Sequence, residues 1–377
     1  MSWDITGMAA VAAIGRTPEA IFEALCRGQS GIAALRAFDA AKYRTRRAYE
    51  IDDRGDRGDR PFRATEWLCT VIREALVDAG IEGGRYPVVV GTTLREHRSA
   101  ELWWRDGGGP ANRPDHDRLD FAAALQDIPQ VGAVHTVACA CAASLYALGM
   151  ATDSIELGLA DTVIVAGTDS LTESAFGTID RVQAGTPDAL RPFDTGRAGM
   201  IMGEGAVAVV LRRAGDHRRH ARVRGVSMNC DARHATAPDG ASIRDVIADA
   251  HERARVAAAD IDLVMLHGSG TQLNDAVEAS VLTDVFGALA NPPAMTAIKS
   301  MTGHTLGGSG LLSLTMASVA MRRGSVPPIL GLTDPIAEAA TLNLTRELVR
   351  ADLTIAQIDA FGFGGINAVA VIEKGTW

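Results

Sequence analysis

Val134-His-Thr-Val-Ala-Cys-Ala-Cys-Ala-Ala-Ser-Leu-Tyr-Ala-Leu-Gly-Met-Ala151 changes character at its centre. The first part is extended and β-branched. From Ala142 onward, small and apolar residues favour a helix. Cys141 therefore falls at a strand-to-helix turn. A thiol there faces free backbone N–H groups and the positive end of the helix dipole. Both favour the thiolate, the nucleophilic form. Other short apolar runs, Pro87-Val-Val-Val-Gly91 and Val163-Ile-Val-Ala-Gly167, also alternate with helical stretches. This alternation predicts an α/β fold with mostly parallel sheets under helices. Gly310 to Met321 is apolar all round and rich in small residues, which predicts a helix buried between sheets.

Working outward, the chain echoes itself. Ile72-Arg-Glu-Ala-Leu-Val-Asp-Ala and Ile243-Arg-Asp-Val-Ile-Ala-Asp-Ala each open a helix-to-strand unit. Gly203-Glu-Gly-Ala-Val-Ala-Val-Val-Leu and Gly365-Ile-Asn-Ala-Val-Ala-Val-Ile each read as a glycine turn feeding a strand. The segments leading to Cys141 and His304 form a looser third pair. Echoes in the same order predict two similar halves, 1–215 and 216–377.

The 377 residues are 47% hydrophobic and 22% charged, which excludes disorder as the main state. Lys+Arg number 37 against 46 Asp+Glu, for a net charge of −9, so a general nucleic-acid binder is not expected. Arg54, Arg57, Arg60 and Arg63 recur every third residue, and Arg212, Arg213, Arg218, Arg219 and Arg222 form a second cluster. Either could steer an acidic partner, and either could be a solvated face. No apolar run has the length of a membrane span and the start does not read as a signal peptide. The five scattered cysteines suggest neither a disulfide framework nor zinc spacing, and a cytoplasmic location is expected.

Two histidines join Cys141 as candidates. His267 leads into Gly268-Ser-Gly-Thr-Gln-Leu-Asn-Asp, and His304 into Thr305-Leu-Gly-Gly-Ser-Gly. Both lie where strands give way to glycine-rich loops, the active edge of an α/β sheet. Phe361-Gly-Phe-Gly-Gly-Ile-Asn could aim a backbone N–H at a ligand oxygen, because its glycines leave the backbone bare.

In order along the chain, Ala140-Cys-Ala-Ala-Ser-Leu, Pro192-Phe-Asp-Thr-Gly-Arg-Ala-Gly-Met-Ile-Met-Gly-Glu-Gly-Ala, His267-Gly-Ser-Gly-Thr, Lys299-Ser-Met-Thr-Gly-His and Phe361-Gly-Phe-Gly-Gly-Ile-Asn resemble the β-ketoacyl-acyl carrier protein synthases of the thiolase superfamily. The resemblance implies a thiolase-like five-layer α-β-α-β-α fold of two similar halves. It also implies a decarboxylative Claisen condensation between a Cys141-bound acyl group and malonyl on an acyl carrier protein. Catalytic roles fall to Cys141, His267, His304 and Lys299, and the oxyanion hole to the N–H groups of Cys141 and Phe363. Substrate contacts fall to Met200, Thr236, Thr271, Phe361, Phe363 and Gly364, and carrier docking to Arg60 and Arg63. No metal or other cofactor is implied, since the substrates ride on phosphopantetheine. The expected assembly is a homodimer, or a heterodimer with a related subunit.

Departures from the pattern bear on the reading. Nine residues after His304 the fatty-acid synthases carry a Glu that pairs with the lysine, and this chain has Ser313. Met200 stands where a Phe is frequent. The Trp103-Trp104 pair suggests an altered subunit or acyl contact. The reading is a condensing enzyme of specialised polyketide or unusual fatty-acyl synthesis. The alternatives are a non-elongating acyltransferase or decarboxylase, and a chain-length-factor-like partner subunit.

Overall fold

In the computed structural model, the described residues are 2–55, 59–110 and 113–376. Ten strands form one continuous sheet: β1 (Trp3–Ala12), β2 (Tyr86–Thr92), β3 (Val131–Ala138), β4 (Thr162–Asp169), β5 (Gly205–Arg213), β6 (Ala221–Cys230), β7 (Leu263–Met265), β8 (Ala294–Thr296), β9 (Ile355–Gly362) and β10 (Ile366–Lys374). Their order is β8-β7-β9-β10-β6-β1-β5-β4-β2-β3. Read outward from the β1–β6 seam, both sides repeat one scheme: the first strand of the side, then its fifth, fourth, second and third. At the seam, Trp3, Asp4 and Ile5 pair with Val223, Arg222 and Ala221.

The sheet is mixed, which corrects the expectation of mostly parallel pairing. Only β2 with β3 and β4, and β7 with β8 and β9, are parallel. The remaining pairs are antiparallel. The apolar runs report burial on both faces, and a strand so buried reads alike in either direction. The close Gly362–Ile366 pairing forces β9 and β10 into a hairpin.

Five principal helices complete the layers: α1 (Arg63–Asp78), α2 (Ala143–Glu156), α3 (Gly240–Ala254), α4 (Gln272–Phe286) and α5 (Ser309–Arg323). On α1, Leu68, Val71, Ile72, Ala75 and Leu76 recur at helical spacing and pack on β1, β2, β4 and β5. α3 and α4 cover the outer face of the second side with Ile243, Val246, Ile247, Leu282 and Phe286. Between the two sides lie α2 and α5, and every residue of α5 from Ser309 to Met321 is buried. The result is the five-layer α-β-α-β-α arrangement. Truncating a side chain such as Leu314 at its centre would cost about 2–5 kcal/mol.

One close approach positions the nucleophile. A Cβ on Gly91 of β2 would stand 2.4 Å from the backbone of Ala143 and Ser144, so only glycine lets α2 settle on this strand.

The arginine expectations change here. Arg63 is 2% exposed. Its guanidinium bonds both oxygens of Glu204, at 2.8 and 3.0 Å, and bonds Asp53 at 2.6 Å. Arg54 reaches the same Glu204 at 2.8 Å. Arg63 is thus an internal tie between α1 and the strand-entry loop, not a docking residue. The buried Glu204, far along the chain, claims it, and a charge pattern read locally cannot reveal that partner. Arg60 is half-exposed and pairs with Glu66. Arg57 lies outside the described residues. In the second cluster, Arg219 and Arg222 are drawn to the buried Asp4.

Candidate active site

The chain delivers its reactive groups to one end of the sheet. β3 runs into a tight turn at Ala140–Ala142, where Ala140 takes a left-handed φ of 46° and lifts Cys141 to the start of α2. Thr93 Oγ1 donates to the Ala140 carbonyl at 3.0 Å, and Ser309 Oγ to the Cys141 carbonyl at 3.3 Å. His267 follows β7, His304 follows the short helix Lys299–Thr302, and Phe361 and Phe363 come from the β9–β10 hairpin.

These elements converge. Donor atoms of Cys141, His267 and His304 lie within 4.8 Å of one another. The two imidazoles cross at 76° with centroids 5.4 Å apart, and the Phe361 ring lies 6.0 Å from His267. A hollow of about 40 Å³ between them is lined by Cys141, Met200, Thr236, His267, Ser269, Thr271, His304, Phe361 and Phe363 among others. Of the expected substrate contacts, Gly364 is not in this wall. Its φ is +82° and its N–H binds the Ala235 carbonyl at 2.8 Å, so it shapes the turn that presents Phe363. Trp103 and Trp104 do not reach the hollow. Trp103 lines a separate surface recess of about 450 Å³ with Phe62, Arg113 and Arg118, and Trp104 packs edge-on against Trp103 and stays exposed.

The electrostatics overturn one expectation. Burial pushes the Cys141 thiol up to about 11, against the opposing pull of Lys299 and of the N–H groups of Phe363 and Cys141. The resting sulfur is a thiol, not a thiolate, because desolvation outweighs the helix end. Those two N–H groups nonetheless converge on the sulfur. Both imidazoles are held well below their ordinary value, by burial first and then by the charge of Lys299. They are neutral at physiological pH.

Lys299 is 2% exposed, and its Nζ donates to the His267 carbonyl. Burial lowers its pKa, while Glu278 chiefly opposes. Sequence reasoning missed Glu278. On α4 it accepts the backbone N–H groups of His267 at 2.6 Å and Gly268 at 2.9 Å. Asp275, one turn earlier, accepts those of Gly270 at 3.1 Å and Phe193 at 2.9 Å. Asp169, at the end of β4, accepts from Thr93, Leu94 and Gly307. Acidic residues on the apolar stripe of α4 were the available signal for the first two.

Comparison with known proteins agrees with this geometry. Residues 4–217 match the family model of the β-ketoacyl synthase N-terminal domain, and residues 220–333 that of the C-terminal domain. The chain is 32% identical to the tetracenomycin polyketide synthase ketoacyl synthase alpha subunit of Streptomyces glaucescens, over 98% of this chain and 96% of that protein. It is 31% identical to 3-oxoacyl-[acyl-carrier-protein] synthase 2 of Rhizobium meliloti (strain 1021), over 85% and 78%. Among solved structures, the ishigamide ketosynthase/chain length factor superposes with a TM-score of 0.90 at 30% identity, over 100% of this chain and 99% of that one. The chain belongs to the β-ketoacyl synthase family.

Proposed function

We propose that this protein condenses a Cys141-bound acyl group with malonyl carried on an acyl carrier protein. One observation carries the reading: a thiol and two neutral imidazoles share a single buried hollow. The sulfur attacks the carrier thioester and the carrier thiol leaves with the proton that Cys141 gives up. The thiol is neutral at rest, so this proton departs as the C–S bond forms, with His267 as the nearby relay. The N–H groups of Cys141 and Phe363 hold the oxyanion, a contribution usually worth about 10²–10³ in rate per donor.

Malonyl then enters with its thioester oxygen between His267 and His304. Loss of CO₂ leaves an enolate on that oxygen. Neutral N–H donors stabilise it without quenching the carbanion, which attacks the acyl-enzyme. The Cys141 sulfur leaves as the new C–C bond forms and is reprotonated. No redox or metal chemistry enters these steps. Thr236 and Thr271 offer hydroxyls to the phosphopantetheine arm, and Met200, Phe361 and Phe363 wall the acyl group. Lys299 holds the His267 loop through its carbonyl.

The acyl substrate is a specialised polyketide or unusual fatty-acyl intermediate, by likeness to the relatives named above. Likeness to the ishigamide ketosynthase/chain length factor favours a heterodimer with a related subunit alongside the homodimer. Cysteines free of disulfides suit a reducing cytoplasm. Among the described residues no helix is long and apolar enough to cross a membrane.

Incubation with an acyl-carrier protein should add the acyl mass to the intact protein, and Cys141→Ala should abolish it. Subsequent malonyl-carrier should yield a β-ketoacyl product. Persistence of the adduct in the alanine variant would move the nucleophile, with Cys139 first in line. An adduct without elongation would favour the non-elongating reading.

A further inference from the structure

Asp169 ends β4 and is fully buried. A carboxylate so placed needs donors, and it draws four of them from two distant parts of the chain. Oδ1 accepts the Thr92 hydroxyl and the Leu94 N–H, each at 2.8 Å. Oδ2 accepts the N–H groups of Thr93 at 2.9 Å and Gly307 at 2.7 Å. Residues 92–94 form the exit from β2, on the first side of the sheet. Gly307 belongs to the second half of the chain, in the loop that follows His304.

Each arm of this clamp ends on a reactive group. Thr93 Oγ1 donates to the carbonyl of Ala140, the residue before the nucleophile. Leu306, the residue before Gly307, has its N–H on Nδ1 of His304. Leu306 takes a left-handed φ of 49°, which a leucine keeps only where its surroundings hold it. The arms also touch directly, since a Cβ on Gly307 would stand 2.5 Å from the Thr92 backbone. Two residues further on, Ser309 Oγ returns to the Cys141 carbonyl at 3.3 Å. Burial pushes the Asp169 carboxyl up to about 6, and its donors from Thr93, Leu94, Thr92 and Gly307 pull it back down. Its charge opposes ionisation of Cys141. Activation of the sulfur is therefore not its role.

We propose that Asp169 is a positioning residue for the condensation, a carboxylate clamp that fixes the Cys141 turn of the first half at working distance from the His304 loop of the second. The inference rests on the condensing reading above. Decarboxylation uses His267 and His304, both from the second half. The new C–C bond must span both halves, so it is the step that depends most on the clamp.

The test uses the full-length enzyme, acylated on Cys141 and supplied with malonyl-carrier protein. Each CO₂ released leaves one enolate. The enolate either attacks the acyl-enzyme, giving the β-ketoacyl product, or takes a proton from water, giving acetyl-carrier protein. The measured quantity is the ratio of CO₂ released to β-ketoacyl product formed. Asp169→Asn keeps the size but turns one acceptor into a donor facing an N–H group. It should raise the ratio about tenfold, with the excess recovered as acetyl-carrier protein. A merely structural role lowers both yields together and leaves the ratio at its wild-type value. Thr93→Val cuts only the arm to Ala140 and should raise the ratio in the same direction. It decides the matter if the asparagine variant fails to load Cys141, read as intact mass. A wild-type ratio in a variant that loads overturns the proposal. A wild-type enzyme that neither releases CO₂ nor elongates refutes the condensing reading itself. Normal wild-type turnover with an unchanged ratio in the variants refutes only the role of Asp169.

Discussion

The backbone N–H of Leu306 donates to Nδ1 of His304 at 3.1 Å. That bond makes Nδ1 an acceptor, so the proton of the neutral ring sits on Nε2. Nε2 is buried and has no hydrogen-bond partner. A donor prepared in this way costs no reorganisation when charge develops beside it.

His304→Ala should therefore reduce malonyl decarboxylation about 10²–10³-fold while Cys141 still accepts the acyl group. Carbon dioxide release and intact mass separate the two steps. Equal loss of both would refute the assigned role.

The pH dependence follows from the same imidazoles. Their neutral forms are favoured by burial and by Lys299. Protonation therefore requires a pH below the ordinary 6.5, and the acid limb of decarboxylation should lie below that value. Lys299→Met removes a repelling charge and should move the limb upward, toward 6.5. A wild-type limb at or above 6.5, or a downward shift in the variant, would contradict this.

Met200 separates the reactive hollow from a second, smaller one lined by Phe176, Ile179 and Met202. Met200→Ala should join them and shift preference toward longer acyl groups by about tenfold or more, measured as relative kcat/KM on carriers of graded chain length. Unchanged selectivity would take Met200 out of the acyl wall. The same change should cost about 2–5 kcal/mol of stability.

Arg63 and Arg60 should behave differently. Arg63→Ala leaves the buried Glu204 with Arg54 as its remaining guanidinium and takes the Arg63 guanidinium from Asp53, and should lose about 3 kcal/mol in a urea titration. Arg60→Glu should stay within about 0.5 kcal/mol of the parent while raising the apparent KM for carrier protein. An unchanged KM would remove Arg60 from docking.

The residues that line the reactive hollow were legible because their chemistry is rare and their positions local. A cysteine at a strand-to-helix turn and two histidines at strand ends stand out in any reading. The groups that set their electrostatics were not. Glu278 and Asp169 resemble ordinary acids until the fold buries them, and the partner of Arg63 lies in a segment far along the chain. The state of the Cys141 thiol was misjudged for a related reason. The helix end is visible in sequence, but the depth at which it lies is not. The layers and the central α5 were legible from apolar runs, whereas strand direction was not.

Cys141 comes from the first side of the sheet, and His267, His304 and Phe363 from the second. The two sides are joined at the seam by the Trp3–Ile5 pairing with Val223–Ala221, by the helices packed between them, and beside the site by the Gly203 N–H donating to the His304 carbonyl at 2.8 Å. Reactivity here is a property of the joint. A small slip of one side against the other would part sulfur from imidazole while leaving each side internally intact. Substitutions along that seam, remote from any substrate, would then be felt first as lost turnover.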